Sequence, residues 1–204
     1  SAISGVITDG GKFKWDTEKY PGMKDFKKFG PFAYTAKLRN GLFRNTGACL
    51  SPQNAFYNSI GMETLGLRME RVCDNAKTLA QFFATEYSDI EVNYPGLAGS
   101  KWHNIATEQF GDKFGGIITI RIGNKKRAFG IIDALKLPLI VSNIGDTKTL
   151  VIHPESTLNV HSTQEEKETA GVFDDLIRIS VGIEDIDDLI DDFKQAIESV
   201  KDVY

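Results

Sequence analysis

Behind Ser51-Pro52 runs an apolar stripe long enough that one extended helix is its natural reading. Ser51 can cap free backbone amides, and Pro52 at the first helical position lacks an amide that would be orphaned there anyway. Phe56, Ile60, Leu65, Met69, Val72, Ala76, Leu79 and Phe83 then recur at helical spacing. The pattern predicts a single long helix over residues 51–85. Gly61 and Gly66 each cost about 1 kcal/mol of helix propensity, which predicts a bend or a close packing contact near them.

Upstream, Ile3 to Thr8 is a short β-type run that Asp9-Gly10-Gly11 punctuates as a turn. Residues 12–31 read as a surface loop, followed by a helix over Phe32 to Arg44 with Gly47 as its stop. Downstream of the Tyr94-Pro95-Gly96 turn, strands are expected at Gly116 to Ile122, Leu137 to Val141, Thr149 to Ile152 and Ile177 to Val181. A helix is expected over Lys125 to Leu135. Thr163-Gln164-Glu165-Glu166 matches a capping box and predicts a short helix. The last helix carries Ile183, Ile186, Leu189, Ile190, Phe193, Ile197 and Val200 on one face, with Asp185, Asp187, Asp188, Asp191 and Asp192 mostly on the other. Strands interleaved with helices give an α/β or α+β fold, a small sheet covered on one face by helices.

One arginine stands out in this pattern. Arg178 lies inside the apolar strand Leu176-Ile177-Arg178-Ile179-Ser180-Val181, where its planar guanidinium is held rigidly and suits bidentate capture of a carboxylate. An internal salt bridge to an Asp or Glu is the competing reading.

Composition narrows the function classes. With 204 residues and 41% hydrophobic content the chain can bury a core, and a net charge of −4 gives no support to nucleic-acid binding. Lys24, Lys27, Lys28 and Lys37 surround Asp25 and read as a solvated face. No apolar run approaches the roughly 18 residues that would span a membrane. Cys49 and Cys73 lack metal or redox spacing, which suggests a reduced, cytoplasmic protein. His103, His153 and His161 have no ligand spacing, so no metal is expected.

The tracts Gly47-Ala48-Cys49-Leu50-Ser51-Pro52-Gln53-Asn54-Ala55-Phe56, Gly61-Met62-Glu63-Thr64-Leu65-Gly66-Leu67-Arg68-Met69-Glu70-Arg71 and Asn93-Tyr94-Pro95-Gly96-Leu97 resemble, in order and spacing, the Cys/Met-metabolism family of pyridoxal-phosphate enzymes. Within that family the run Ser142 to Thr157 most resembles the O-acetylhomoserine sulfhydrylase branch. The resemblance implies the C-terminal part of a fold-type I pyridoxal-phosphate transferase. Residues 1–50 would be a remnant of the large cofactor-binding domain, 51–85 the linking helix, and 86–204 the small domain.

By the same resemblance the Schiff-base lysine, the aromatic that stacks on the cofactor ring, the aspartate on its nitrogen and the main phosphate ligands lie upstream of Ser1. The chain alone is then expected to be inactive and to hold pyridoxal 5′-phosphate non-covalently at most. The family's carboxylate-binding arginine falls on Arg178, its second carboxylate contact on Ser142, and Asn143 adds an amide beside it. Strand-end turn chemistry is the alternative reading of Ser142 and Asn143. Arg44 and Asn45 fall near the active-site mouth of an adjoining subunit. Where many relatives have Ser-Thr-Thr-His after the His-Pro turn, this chain has Ser156-Thr157-Leu158-Asn159.

The implied activity is replacement of the acetoxy group of O-acetyl-L-homoserine by sulfide or methanethiol, giving homocysteine or methionine, in a homo-oligomer that is tetrameric in the family. Methionine γ-lyase or cystathionine γ-synthase chemistry would use the same carboxylate clamp. A non-catalytic binding domain is the reading from another class.

Overall fold

A computed structural model describes residues 2–200 and divides the chain into two compact units, one ending at Glu63 and one beginning at Thr64. In the first unit, residues 2–10 have no regular secondary structure, so Ile3 to Thr8 is not a strand. A strand exists through the neighbour that accepts its hydrogen bonds, and these apolar side chains stand exposed instead. The turn after them is real: Gly11 N donates to Asp9 Oδ1 at 3.0 Å.

Residues predicted as loop are partly helical. A 3₁₀ stretch runs from Pro21 to Phe32, broken at Gly30, where φ is 54°. Lys37 Nζ fastens it by donating to Gly22 O at 2.7 Å while lying over the Phe26 ring. Helix α1 (Ala33–Leu38), a π-helical turn (Arg39–Phe43) and α2 (Arg44–Thr46) follow. Gly47, left-handed at φ 63°, ends the run as expected.

Helix α3 (Pro52–Glu63) begins with the predicted cap, Ser51 Oγ accepting from Asn54 N at 3.2 Å. The single helix expected over 51–85 is, however, two: α4 (Leu65–Glu86) starts anew after Thr64, whose φ of −107° and ψ of 6° leave the helical range. The apolar periodicity continues across Thr64, so it could not reveal the break. The glycines on either side at Gly61 and Gly66 were the signal for it.

Among the described residues the second unit contains a five-stranded mixed sheet in the order β1-β2-β5-β4-β3. Its strands are β1 (Glu91–Asn93), β2 (Ile117–Arg121), β3 (Leu139–Ile140), β4 (Leu150–Ile152) and β5 (Leu176–Ser180). Pairing is antiparallel except between β3 and β4. Helix α4, at the start of this unit, and helices α5 (His103–Phe110), α6 (Lys125–Ala134), α7 (Gln164–Thr169) and α8 (Ile186–Ser199) complete the unit. The capping box of α7 is present, Thr163 accepting from Glu166 N and Glu166 from Thr163 N.

Strand alternation sorts the sheet into two faces. Ile118, Ile120, Val151, Ile177 and Ile179 join Leu79 and Phe83 of α4, Ile131 of α6, and Leu189, Phe193 and Ile197 of α8 in one core. The rings of Phe83 and Phe193 meet edge to face at 5.3 Å. The alternate residues, Thr119 and Arg178 among them, point to the opposite face. Asp192 corrects the reading of α8: it is buried, and its carboxylate accepts from Lys136 N and Leu137 N at 2.9 and 2.8 Å, tying the entry to β3 onto the helix.

Candidate functional site

Arg178 sits mid-strand in β5, opposite Thr119 of β2 and Ile152 of β4. Its side chain therefore leaves the sheet on the face away from the helical core. Nη2 donates to Ser142 O at 2.7 Å and more weakly to Asn143 O at 3.4 Å. Among the described residues no carboxylate forms a salt bridge with it, so the internal ion pair is not what holds this arginine. Its Nε is buried with no hydrogen-bond partner. Burial, uncompensated by an anion, pushes the guanidinium below its usual pKa range. A cation held by carbonyl oxygens, with donors to spare, is prepared for an anionic ligand.

The structure thus brings Arg178, Ser142 and Asn143 together, through backbone carbonyls that no residue name announces. Ser142 and Asn143 stand on an exposed loop between β3 and β4. Asp146 shapes its far end, accepting from Lys148 N at 3.1 Å and Thr147 Oγ1 at 3.3 Å, and the Lys148 amide holds its carboxyl below the usual range. Gly145 N donates to Ser180 Oγ at 3.1 Å, which fastens the loop to the strand that carries Arg178. Arg44 and Asn45 belong to the other unit, where both are exposed on α2.

Sequence reasoning missed the residues at the root of this loop. Thr149 donates from N and Oγ1 to Glu184 Oε1 and Oε2 at 2.5 and 2.9 Å, and Gly182 N donates to Thr149 Oγ1 at 2.9 Å. A polar Thr149 at the head of the apolar run Leu150-Val151-Ile152 was the available signal.

At the far end of β4 from this loop, His153 is buried between Ser156 Oγ (2.9 Å) and Asp174 O (2.8 Å) against the Phe129 ring. Glu155 bonds Lys125 Nζ at 2.7 Å and Lys167 Nζ at 2.5 Å, and these ammonium groups pull its pKa down to about 2. Among the described residues no cluster of His, Cys, Asp and Glu has a metal-holding arrangement, and no helix is long and apolar enough to cross a membrane.

The family model for Cys/Met metabolism pyridoxal-phosphate-dependent enzymes matches residues 1–198. The chain is 38% identical to the O-acetyl-L-homoserine sulfhydrylase of Corynebacterium glutamicum over 98% of its length, covering 49% of that protein. It is 38% identical to the homocysteine synthase of Schizosaccharomyces pombe over 97% of its length, again covering 49%. It therefore spans about half the length of the curated relatives it matches. Among solved structures, a putative O-acetylhomoserine (thiol)-lyase of Campylobacter jejuni, crystallised with a pyridoxyl-lysine phosphate, aligns at TM-score 0.75 and 39% identity over 81% of this chain and 39% of its own. The O-acetylhomoserine sulfhydrylase of Wolinella succinogenes aligns at TM-score 0.68 and 36% identity over 85% of this chain and 46% of its own.

Pyridoxal phosphate is the cofactor of that family. One cation flanked by carbonyl oxygens suits the carboxylate of an amino-acid substrate; it is not by itself a phosphate cradle. The match over residues 1–198, with the mixed sheet and the strand-borne arginine described above, places this chain in the Cys/Met-metabolism family of pyridoxal-phosphate-dependent enzymes.

Proposed function

We propose that this chain supplies the substrate-carboxylate site of an O-acetylhomoserine sulfhydrylase, and that Arg178 is the clamp. The observation that carries the reading is the state of Arg178: a partly buried guanidinium held by main-chain carbonyls, with no carboxylate paired to it among the described residues. An amino acid reacting at its α- and γ-carbons must keep its α-carboxylate fixed so that the breaking bond stays aligned. A rigid strand-borne fork does this better than a flexible ammonium.

Ser142 and Asn143 would stand beside the bound carboxylate, their carbonyls orienting the guanidinium and their side chains free to donate hydrogen bonds to the substrate. Arg44 and Asn45 would lie at the mouth of the active site of an adjoining subunit in a homo-oligomer. Pyridoxal phosphate, when bound, supplies the electron sink for the bond changes. The lysine that binds it covalently would come from sequence outside residues 1–204. Support for replacement chemistry comes from the names borne by the relatives, O-acetyl-L-homoserine sulfhydrylase and homocysteine synthase.

Arg178→Lys in the holoenzyme containing this chain tests the reading. Losing a hydrogen bond to a charged group should lower kcat/KM for O-acetyl-L-homoserine with sulfide by roughly ten- to a hundredfold, while cofactor absorbance stays normal. Unchanged kinetics would remove Arg178 from the site. Residues 1–204 expressed alone and supplied with pyridoxal phosphate should release no acetate from O-acetyl-L-homoserine; turnover by that polypeptide would show that the chain carries its own catalytic lysine.

A further inference from the structure

The loop that holds Arg178 is exposed from Ser142 to Lys148, yet its root is pinned by a buried polar joint. Glu184 is the pivot. Both of its carboxylate oxygens accept from Thr149, at 2.5 Å from N and 2.9 Å from Oγ1, and the Thr149 hydroxyl accepts in turn from Gly182 N at 2.9 Å. The backbone of the same turn is fixed from the opposite side. Asn75 Nδ2 in α4 donates to Gly182 O at 3.1 Å and Glu184 O at 2.9 Å, and Arg71 Nη2 donates to Glu184 O at 3.1 Å.

The joint is tightly closed. Thr149 is 0% exposed and Asn75 2%, and a Cβ on Gly182 would run into Thr147 O, Glu184 Oε2 and Lys148 C. Among the described residues no cation forms a salt bridge with the Glu184 carboxylate, so its charge is directed wholly at an amide and a hydroxyl at the loop root. Ile183 N also donates to Thr147 O at 2.9 Å. The same loop meets β5 again where Gly145 N bonds Ser180 Oγ. The loop's height over β5 is therefore set at these two places, and the carbonyls that aim Arg178 ride on it.

We propose that Glu184, acting through Thr149, is a positioning residue for Arg178: it sets where the Ser142 and Asn143 carbonyls stand, and so the direction in which the guanidinium faces the substrate carboxylate. This rests on the reading of Arg178 as the carboxylate clamp.

The test compares Thr149→Val, Thr149→Ser and Arg178→Gln in the holoenzyme containing this chain, with kcat and KM measured for O-acetyl-L-homoserine and for its carboxamide. Thr149→Val deletes the hydroxyl and keeps the branched shape. It should raise KM for the carboxylate substrate about tenfold, change kcat less, and leave the carboxamide almost unaffected, so that discrimination between the two falls toward that of Arg178→Gln. Thr149→Ser should restore it. Lower thermal stability with the parent's discrimination would overturn the proposal by making the joint merely structural. Parent-like discrimination in Arg178→Gln would instead defeat the clamp reading itself, and the positioning role with it. Should Thr149→Val not fold, Glu184→Gln, which sets an NH₂ against one Thr149 donor, takes its place: reduced discrimination supports the proposal and parent-like discrimination overturns it.

Discussion

The two units of this chain use apolar residues in different ways. In the C-terminal unit the aliphatic side chains of β2 and β5 alternate into a closed core with three helices, and Phe83, Ile120, Ile179 and Phe193 are fully buried. Among the described residues of the N-terminal unit the buried hydrophobic ones are Met23 and Ala33, while Ile3, Val6, Phe32, Leu42, Phe56 and Met62 stand exposed. Hydrophobic content alone therefore says little about where a core forms; what matters is whether the sequence also supplies the surface that covers each stripe. The C-terminal unit supplies its own, and the rigid strand that carries Arg178 depends on it.

The largest expected difference between the two is in amide exchange. Amides of β2 and β5 should exchange at the rate of global unfolding, and those of residues 2–50 roughly three orders of magnitude faster or more. Slow exchange throughout residues 2–50, in a sample that light scattering finds monomeric, would break the comparison and make the N-terminal unit self-sufficient. Self-association of the isolated 204-residue polypeptide would sharpen it, since exposed apolar surface of this kind seeks partners.

Truncation separates the units next. Phe193→Ala should cost about 3–5 kcal/mol in chemical denaturation, because a buried ring is lost and a cavity remains. Leu42→Ala, at a side chain 65% exposed, should cost less than about 1 kcal/mol. Equal costs would mean that the first unit has a core of its own. A smaller loss, about 1–3 kcal/mol, is expected for Gly182→Ala, whose Cβ meets backbone atoms of Thr147 and Lys148 that cannot rotate away.

The smallest effect is electrostatic and belongs to the C-terminal unit. Glu155 is depressed from 4.5 to about 2 by Lys125 and Lys167, so its contribution is fully present above pH 4.5 and lost as pH falls toward 2. Acid titration of the folded protein followed by amide spectra should show the Lys125 and Lys167 contacts failing only near pH 2, and Glu155→Gln should remove that transition while leaving stability at neutral pH only slightly lower.

Much of this architecture could be read from residue pattern, and the gaps have physical causes. The cap at Ser51, the capping box at Thr163 and the stripes of α4, α6 and α8 are local signals, carried by the residues that form them. Strand β1, only three residues long, and helix α5, two turns after the Tyr94-Pro95-Gly96 turn, offer too short a period to detect. Ile3 to Thr8 has strand composition without a strand partner. Asp192 has the composition of a solvated face yet caps a distant loop, because only the tertiary fold brings Lys136 and Leu137 to it.

At the candidate site, Arg178 was legible as a charged residue inside an apolar strand. What holds it was not: its acceptors are backbone carbonyls, which every residue possesses. The root of the loop was equally hidden, since Thr149 and Glu184 are separated by 35 residues in sequence and meet only across the end of β5.

Whether Arg178 binds the substrate carboxylate is most directly measured by crossing two changes in the holoenzyme, Arg178→Gln in the protein and carboxylate to carboxamide in O-acetyl-L-homoserine, and reading kcat/KM for all four combinations. If guanidinium and carboxylate meet, each change removes the same interaction, and the cycle should give a coupling of about 1.5–3 kcal/mol. Additive losses, with a coupling near zero, would contradict the account and leave Arg178 as a structural residue of the sheet.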